Sequence, residues 1–553
     1  MNRMTRPAET VFTGGSVFSA GMSASRAGGV AIADGVIVAV GDDAELRGLI
    51  GPHTREIDLN GGVLLPGFQD AHAHPVQAGV ELLQCELGAA HDAEGCLALV
   101  ARYAAAHPDD EWITGGGWSM EFFPGGTPTA ESLDTAVRDR PVMLHNRDHH
   151  GVWVNSLALR LAGIDAATPD PADGRIERHT DGSPTGTLHE GAAALVERLV
   201  PPIDADFAYA GLMRAQDELV ALGITGWQDA MVGAVFGLPD IADAYHRAVT
   251  QGTLVARVVG AQWWERDRGV EQLAGMLTRR DAAAELGHPE RFRLDSVKIM
   301  LDGVAENFTA AMTKPYFDGH GHPTGNSGHS FLDPAGLDDA VVAIDAAGLQ
   351  VHLHALGDRA VREGLDALER ARETNGVTDG RHHLAHLQVV DAADVPRFAA
   401  LGATANIQAY WASHEPQMDE LTIPFLDPSL VDRQYVFAEL HRAGAHLAGG
   451  SDWPVSTANP LEAAHAAVNR VDSGEDAPPL GPEQALDLGT FLAAYTAGSA
   501  RVNHRDTTTG HLRVGYAADL AVLDRDPFRR PTGEIADAVV VSTWIDGRRV
   551  YEA

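Results

Sequence analysis

The sequence predicts an α/β fold: a (β/α)8 TIM barrel with an insertion after its first strand, plus a small β-sandwich built from both chain ends. Three observations predict it. Residues 205–500 alternate helix-like and strand-like segments, and one earlier strand brings the strand candidates to eight, the count of a closed barrel. The two chain ends carry short β runs with Asp-Gly turns instead. Ligand-type side chains collect at the C-terminal ends of the barrel strands, where such barrels keep their sites.

Taken in order, Thr10 to Thr13, Gly29 to Ala33 and Val36 to Gly41 read as strands, with the turn Asp34-Gly35 between the last two. The far end matches them with Asp519 to Leu523, Ala538 to Ile545 and Arg549 to Tyr551, and the turn Asp546-Gly547. Chain ends often meet, so residues 1–66 and 505–553 are expected to form one composite sandwich beside a barrel over 67–504. The first barrel strand ends Phe68-Gln69-Asp70-Ala71-His72-Ala73-His74, and Pro66-Gly67 marks the step from sandwich to barrel. The other seven strands are Gly223 to Asp229, Ala256 to Trp263, Ser296 to Asp302, Leu349 to His354, His383 to Gln388, Ala403 to Tyr410 and Ala445 to Asp452. Helical patterns separate them, as at Phe207 to Leu222 and Leu337 to Ala347. Residues 78–204 exceed one βα step and read as an inserted unit for substrate recognition. It carries a helix (Ala93 to Ala106), a Gly-rich strand end (Ile113 to Trp118), a second strand (Pro141 to His145) and a turn-rich segment (Asp170 to Gly186).

With 553 residues, 45% hydrophobic and 21% charged, the chain can bury a large core and reads as soluble and globular. A net charge of −36 argues against nucleic acid and anionic membranes, which need basic patches. The expected partner is a small-molecule substrate, with no nucleic acid and no membrane; a homodimer is the expected assembly. Cys85 and Cys96 alone make no disulfide framework and read as small core residues. No signal peptide and no run of about 20 apolar residues is present, so a cytoplasmic location is expected. Lys298 and Lys314 are the only lysines against 39 arginines. A position that keeps Lys in an Arg-using chain points to an amine that can lose its proton.

His72 and His74 project to one face of an extended strand. Alone the pair is equally a His-rich surface strand end; the other strand ends decide for a metal. Lys298 closes the fourth strand, His354 the fifth, His386 the sixth and Asp452 the eighth. Imidazoles, a carboxylate and a lysine carbamate suit a borderline divalent ion such as zinc. Two ions ~3.5–4 Å apart would need a bridging anion, which a carboxylated Lys298 supplies; alone, Lys298 reads equally as a buried or salt-bridged amine. His352 and His383 are only partly in phase with their neighbours and read as core residues or supports behind the ligands.

These residues resemble the amidohydrolase superfamily, in the branch containing N-substituted formamide deformylases (amidohydrolase family 3). The resemblance rests on Leu65 to His74, Gly357-Asp358, Ser451-Asp452-Trp453-Pro454 and Gly515 to Leu520. Branch features are Gly115-Gly116-Gly117-Trp118, Trp153 to Leu159 and Pro184 to Leu188. It implies that His72 and His74 hold the more buried metal, that Lys298 bridges as a carbamate and that His354 and His386 hold a second metal. Asp452 would ligate and shuttle protons. The implied cofactor is zinc, one or two ions per chain. The implied reaction is hydrolysis of a C–N bond, amide or formamide, by metal-activated hydroxide. After Asp302-Gly303 the run Val304 to Ala310 departs from the small, Ser- and Gly-rich pattern of many relatives. Glu306 there is a candidate substrate contact, its alternative a solvated loop carboxylate. Trp118, His149 and His150 are further candidates to line the pocket, each with a purely structural alternative. Rival readings are cyclic imide or lactone opening, ring deamination, and a barrel without catalysis serving as a binding or regulatory protein.

Overall fold

A computed structural model describes residues 7–235 and 237–553. Eight parallel strands form the central sheet: β1 (Phe68–Ala73), β2 (Ile224–Val232), β3 (Arg257–Trp263), β4 (Phe292–Met300), β5 (Gln350–Ala355), β6 (His383–His386), β7 (Thr404–Ile407) and β8 (His446–Gly449). Each pairs with its sequence neighbour in the barrel. β8 and β1 share no ladder. At the mouth they are joined by Asp452 N donating to His72 O (2.7 Å) and His74 N donating to Trp453 O (2.8 Å). The Asp70 carboxylate adds a buried stitch, accepting from the backbone of His72 (3.0 Å) and Ser451 (3.1 Å).

The outer helices follow from apolar periodicity and caps. Ala205–Ala221 begins where the Asp204 side chain accepts from Phe207 N, and it buries Leu212, Ala215 and Leu219 on one face. Asp358–Asn375 buries Val361, Leu365 and Leu368 on its inner stripe. These faces join the barrel strands in one continuous core.

Two further sheets stack over a core of Phe12, Ile32, Leu64, Val522 and Trp544. One contains Thr10–Thr13, Gly29–Ala33, Val36–Gly41 and Arg55–Asp58; the other pairs Val63–Pro66 with Leu520–Leu523 and so joins both chain ends. The hairpin turns Asp34-Gly35 and Asp546-Gly547 hold positive φ at both residues, as predicted from Asp-Gly. Gly67 is required at the step into the barrel, because a Cβ there would lie 2.3 Å from the Thr225 side chain.

Between β1 and β2 stands a six-stranded sheet, from Cys85–Glu86 to Pro184–Glu190. Its helix Ala93–Ala106 has the predicted bounds. The segment expected to be turn-rich, Asp170 to Gly186, instead contributes an antiparallel pair, Gly174–Arg178 with Pro184–Glu190. Its apolar alternation is short and interrupted by Gly and Asp, so turn residues mask it. Among the described residues no helix is long and apolar enough to cross a membrane.

Candidate metal centre

The first strand delivers both its histidines to the barrel axis. His72 is fully buried and His74 nearly so, and the Nε2 atoms of both face one carboxylate oxygen, Asp452 Oδ1, at 3.0 and 2.9 Å. Ligand atoms of His72, His386 and Asp452 all lie within 4.8 Å of one another. Lys298 Nζ sits 3.3 Å from His72 Nε2, buried. His354 closes the group, with its ring centroid 4.5 Å from that of His386. Its Nε2 leans toward Gly303 O at 3.4 Å. The fold thus brings together all six of the predicted ligands.

The local backbone is built for convergence. His386 and Asp452 hold φ of +79° and +58°, a region that non-glycine residues seldom occupy and that clusters at functional sites. The turn at His386 lets two histidines three apart, His383 and His386, both reach inward. A Cβ on Gly450 would press within 2.8 Å of His72 Cβ, so the β8 end must be bare there. Trp411 stacks on the His386 ring at 5.3 Å and 9°.

Electrostatics favour a cation-binding state. Burial works to protonate Asp452, but the surrounding imidazoles of His72 and His386, with a hydrogen bond from His74, hold the carboxyl well below the usual range. Burial keeps His386 and His354 far below the ordinary imidazole value, so they are neutral donors of lone pairs. Burial also pushes the Lys298 amine down to about 7, which leaves a neutral fraction able to add carbon dioxide. Both ring nitrogens of His386 and Nδ1 of His74 are buried without a hydrogen-bond partner among the described residues. Buried polar atoms are normally paired; open imidazole nitrogens beside an ionised carboxylate fit a divalent ion.

This centre floors a cavity of about 630 Å³. Met231, Trp263, Trp264, Met300 and Phe331 form its apolar wall. His149 and His150 line it too, carried by the insertion turn between Val142–Asn146 and Gly151–Val154. Burial and neighbouring imidazoles keep His149 neutral. For His150 burial opposes charge, but the Glu190 carboxylate at 3.0 Å wins and raises it to about 9.

The remaining two candidates differ in placement. Trp118 is fully buried in the insertion core, where its indole N–H donates to Leu144 O and its ring meets Phe123 and Trp153; it does not line the cavity. Glu306 is half-buried rather than solvated and lines a smaller adjoining cavity of about 60 Å³ that shares His150, His354, His386 and Asp452 with the first. Sequence reasoning assigned no role to Asp70, Asp302 or Gln228. Asp302 accepts from Ala311, Leu356 and Gly357 backbone N–H groups and so fixes the end of β5. Its place at the end of a strand that also bears Lys298 was the available signal.

A parallel eight-stranded barrel with a His/Asp donor set at its mouth defines the class: a barrel whose side chains could hold a divalent metal beside a cavity. The chain belongs to the amidohydrolase family, whose sequence profile matches residues 55–551. Protein LONG AFTER FAR-RED 3 of Arabidopsis thaliana is 30% identical over 554 residues, covering 98% of this chain and 92% of the relative. N-substituted formamide deformylase of Arthrobacter pascens is 28% identical over 568 residues, covering 99% of each chain. The crystal structure of an uncharacterized metal-dependent hydrolase from Pyrococcus horikoshii OT3 shares the fold, with a TM-score of 0.71 at 23% identity over 95% of this chain and 99% of that one.

Proposed function

We propose that the protein hydrolyses a C–N bond of a small amide, formamide or related substrate. The convergence of His72, His74, His386 and Asp452 on one buried point beneath the cavity carries this reading. Those residues, with His354 and Lys298, would hold zinc, one or two ions per chain; a carboxylated Lys298 would bridge two. The ion supplies Lewis acidity, acidifying water and polarising a carbonyl oxygen. Asp452, ionised at neutral pH, accepts the proton of the attacking water. The C–N bond breaks as that proton passes to the departing nitrogen, so acid and amine are released. His150, charged and facing the cavity, is placed to receive the negative charge that builds on the carbonyl oxygen. The apolar wall from Met231 to Phe331 takes the bulkier substituent.

A screen of the zinc-loaded protein across N-substituted formamides, N-acyl amino acids, cyclic ureides and lactones tests the reaction class. Release of amine from acyclic formamides or amides is expected. Ring opening of ureides or lactones with no acyclic turnover would contradict the reading.

A further inference from the structure

Beneath the metal centre runs a buried chain of polar side chains whose hydrogen-bond polarity can be worked out from the backbone. Gln350 Nε2 faces the carbonyls of Arg381 (2.9 Å) and Val502 (2.7 Å). Carbonyls only accept, so that atom is the amide NH2 and Gln350 Oε1 is an acceptor. Gln228 Nε2 donates to it at 3.0 Å and to Asn503 Oδ1 at 2.9 Å. The Gln228 oxygen therefore faces two imidazoles, His352 Nδ1 at 2.6 Å and His383 Nε2 at 3.1 Å, and both must donate to it.

The same polarity is reached from the other side. Asn406 Nδ2 donates to the Ala71 carbonyl at 2.9 Å, which fixes its amide, and it also faces His383 Nδ1 at 3.1 Å. His383 Nδ1 then accepts, its proton sits on Nε2, and Nε2 donates to Gln228. Two independent backbone anchors agree.

One link remains. A neutral His352 with its proton on Nδ1 has a bare Nε2, and that atom lies 2.7 Å from His72 Nδ1. A second proton on His352 would bury a cation with no carboxylate among its hydrogen-bond partners, which is costly. His72 must therefore donate from Nδ1, leaving its Nε2 lone pair for a metal ion. Gln228, His352, His383, Asn406 and His72 are all fully buried.

We infer that His352 and Gln228 are positioning residues that lock His72 in its Nδ1–H form, with Nε2 bare toward the metal. This rests on the metal-centre reading above. Partners of this kind typically change metal affinity by about 10–100-fold when removed. Zinc affinity of the metal-stripped protein, measured in competition with a chromophoric chelator, should fall by about that factor in His352→Leu. His352→Gln offers an oxygen to His72 and an NH2 to Gln228, so it should restore most of the affinity. Circular dichroism of the stripped proteins reports the fold independently. Equal zinc affinity in wild type and folded His352→Leu would overturn the positioning role, whereas a wild type that holds no zinc would overturn the metal centre itself. A neutron crystal structure of the wild type reads the protons without any variant. Deuterium on Nδ1 of both His72 and His352 is expected; deuterium on His352 Nε2 would overturn the inference.

Discussion

Asp452→Asn is expected to lower turnover by about 10²–10⁴-fold while leaving the fold intact. The side chains have one shape, and asparagine tolerates the positive φ of this position better than most residues. The backbone bond from residue 452 N to His72 O, which helps close the barrel, is untouched. What is lost is an ionised oxygen that can take up a proton 2.9–3.0 Å from two imidazoles. Turnover on the best substrate of the screen, read beside the melting temperature and near-ultraviolet circular dichroism, checks this. Wild-type turnover in a folded variant would remove Asp452 from proton transfer.

Arg257→Met is expected to cost about 3–5 kcal/mol of unfolding free energy. Arg257, on the barrel, pairs bidentately with buried Asp519 at 2.5 and 3.0 Å and also with Asp546 in the sandwich hairpin, which Arg291 holds as well. Removing the guanidinium strands the Asp519 carboxylate in a buried seam. The effect should be pH-dependent. Burial would raise the Asp546 carboxyl, but Arg257 and Arg291 hold it below its ordinary 3.8. A depressed carboxyl contributes stability above its unfolded value and loses it as pH falls through the folded one. Urea midpoints of wild type and variant should therefore separate at neutral pH and converge in acid. Equal midpoints at pH 7 would show that the seam does not hold the two units together.

The barrel was legible because its strands announce themselves locally, by β-branched runs between helical periods, and because ligand residues must stand at strand ends. His72, His74, Lys298, His354, His386 and Asp452 were readable on that basis. Trp118 was open between pocket and core, because a Gly-rich strand end suits either place. Only the tertiary packing of Phe123 and Trp153 around it shows a core position. Gln228 was invisible for a related reason: its partner His352 is 124 residues away in the chain. The alternation Gln350, His352, His354 on β5 did hold a clue, since all three face the barrel interior and only the last stands at the mouth. His383 and His386 seemed out of phase because the strand turns into positive φ at His386, which no spacing rule foresees.

Metal content of the protein purified without chelator decides whether His72, His74, Lys298, His354, His386 and Asp452 hold an ion. About one to two divalent ions per chain are expected, with activity lost on chelation and restored by zinc, and no retained ion in a His72→Ala, His386→Ala double variant. A metal-free preparation with full activity would contradict this expectation.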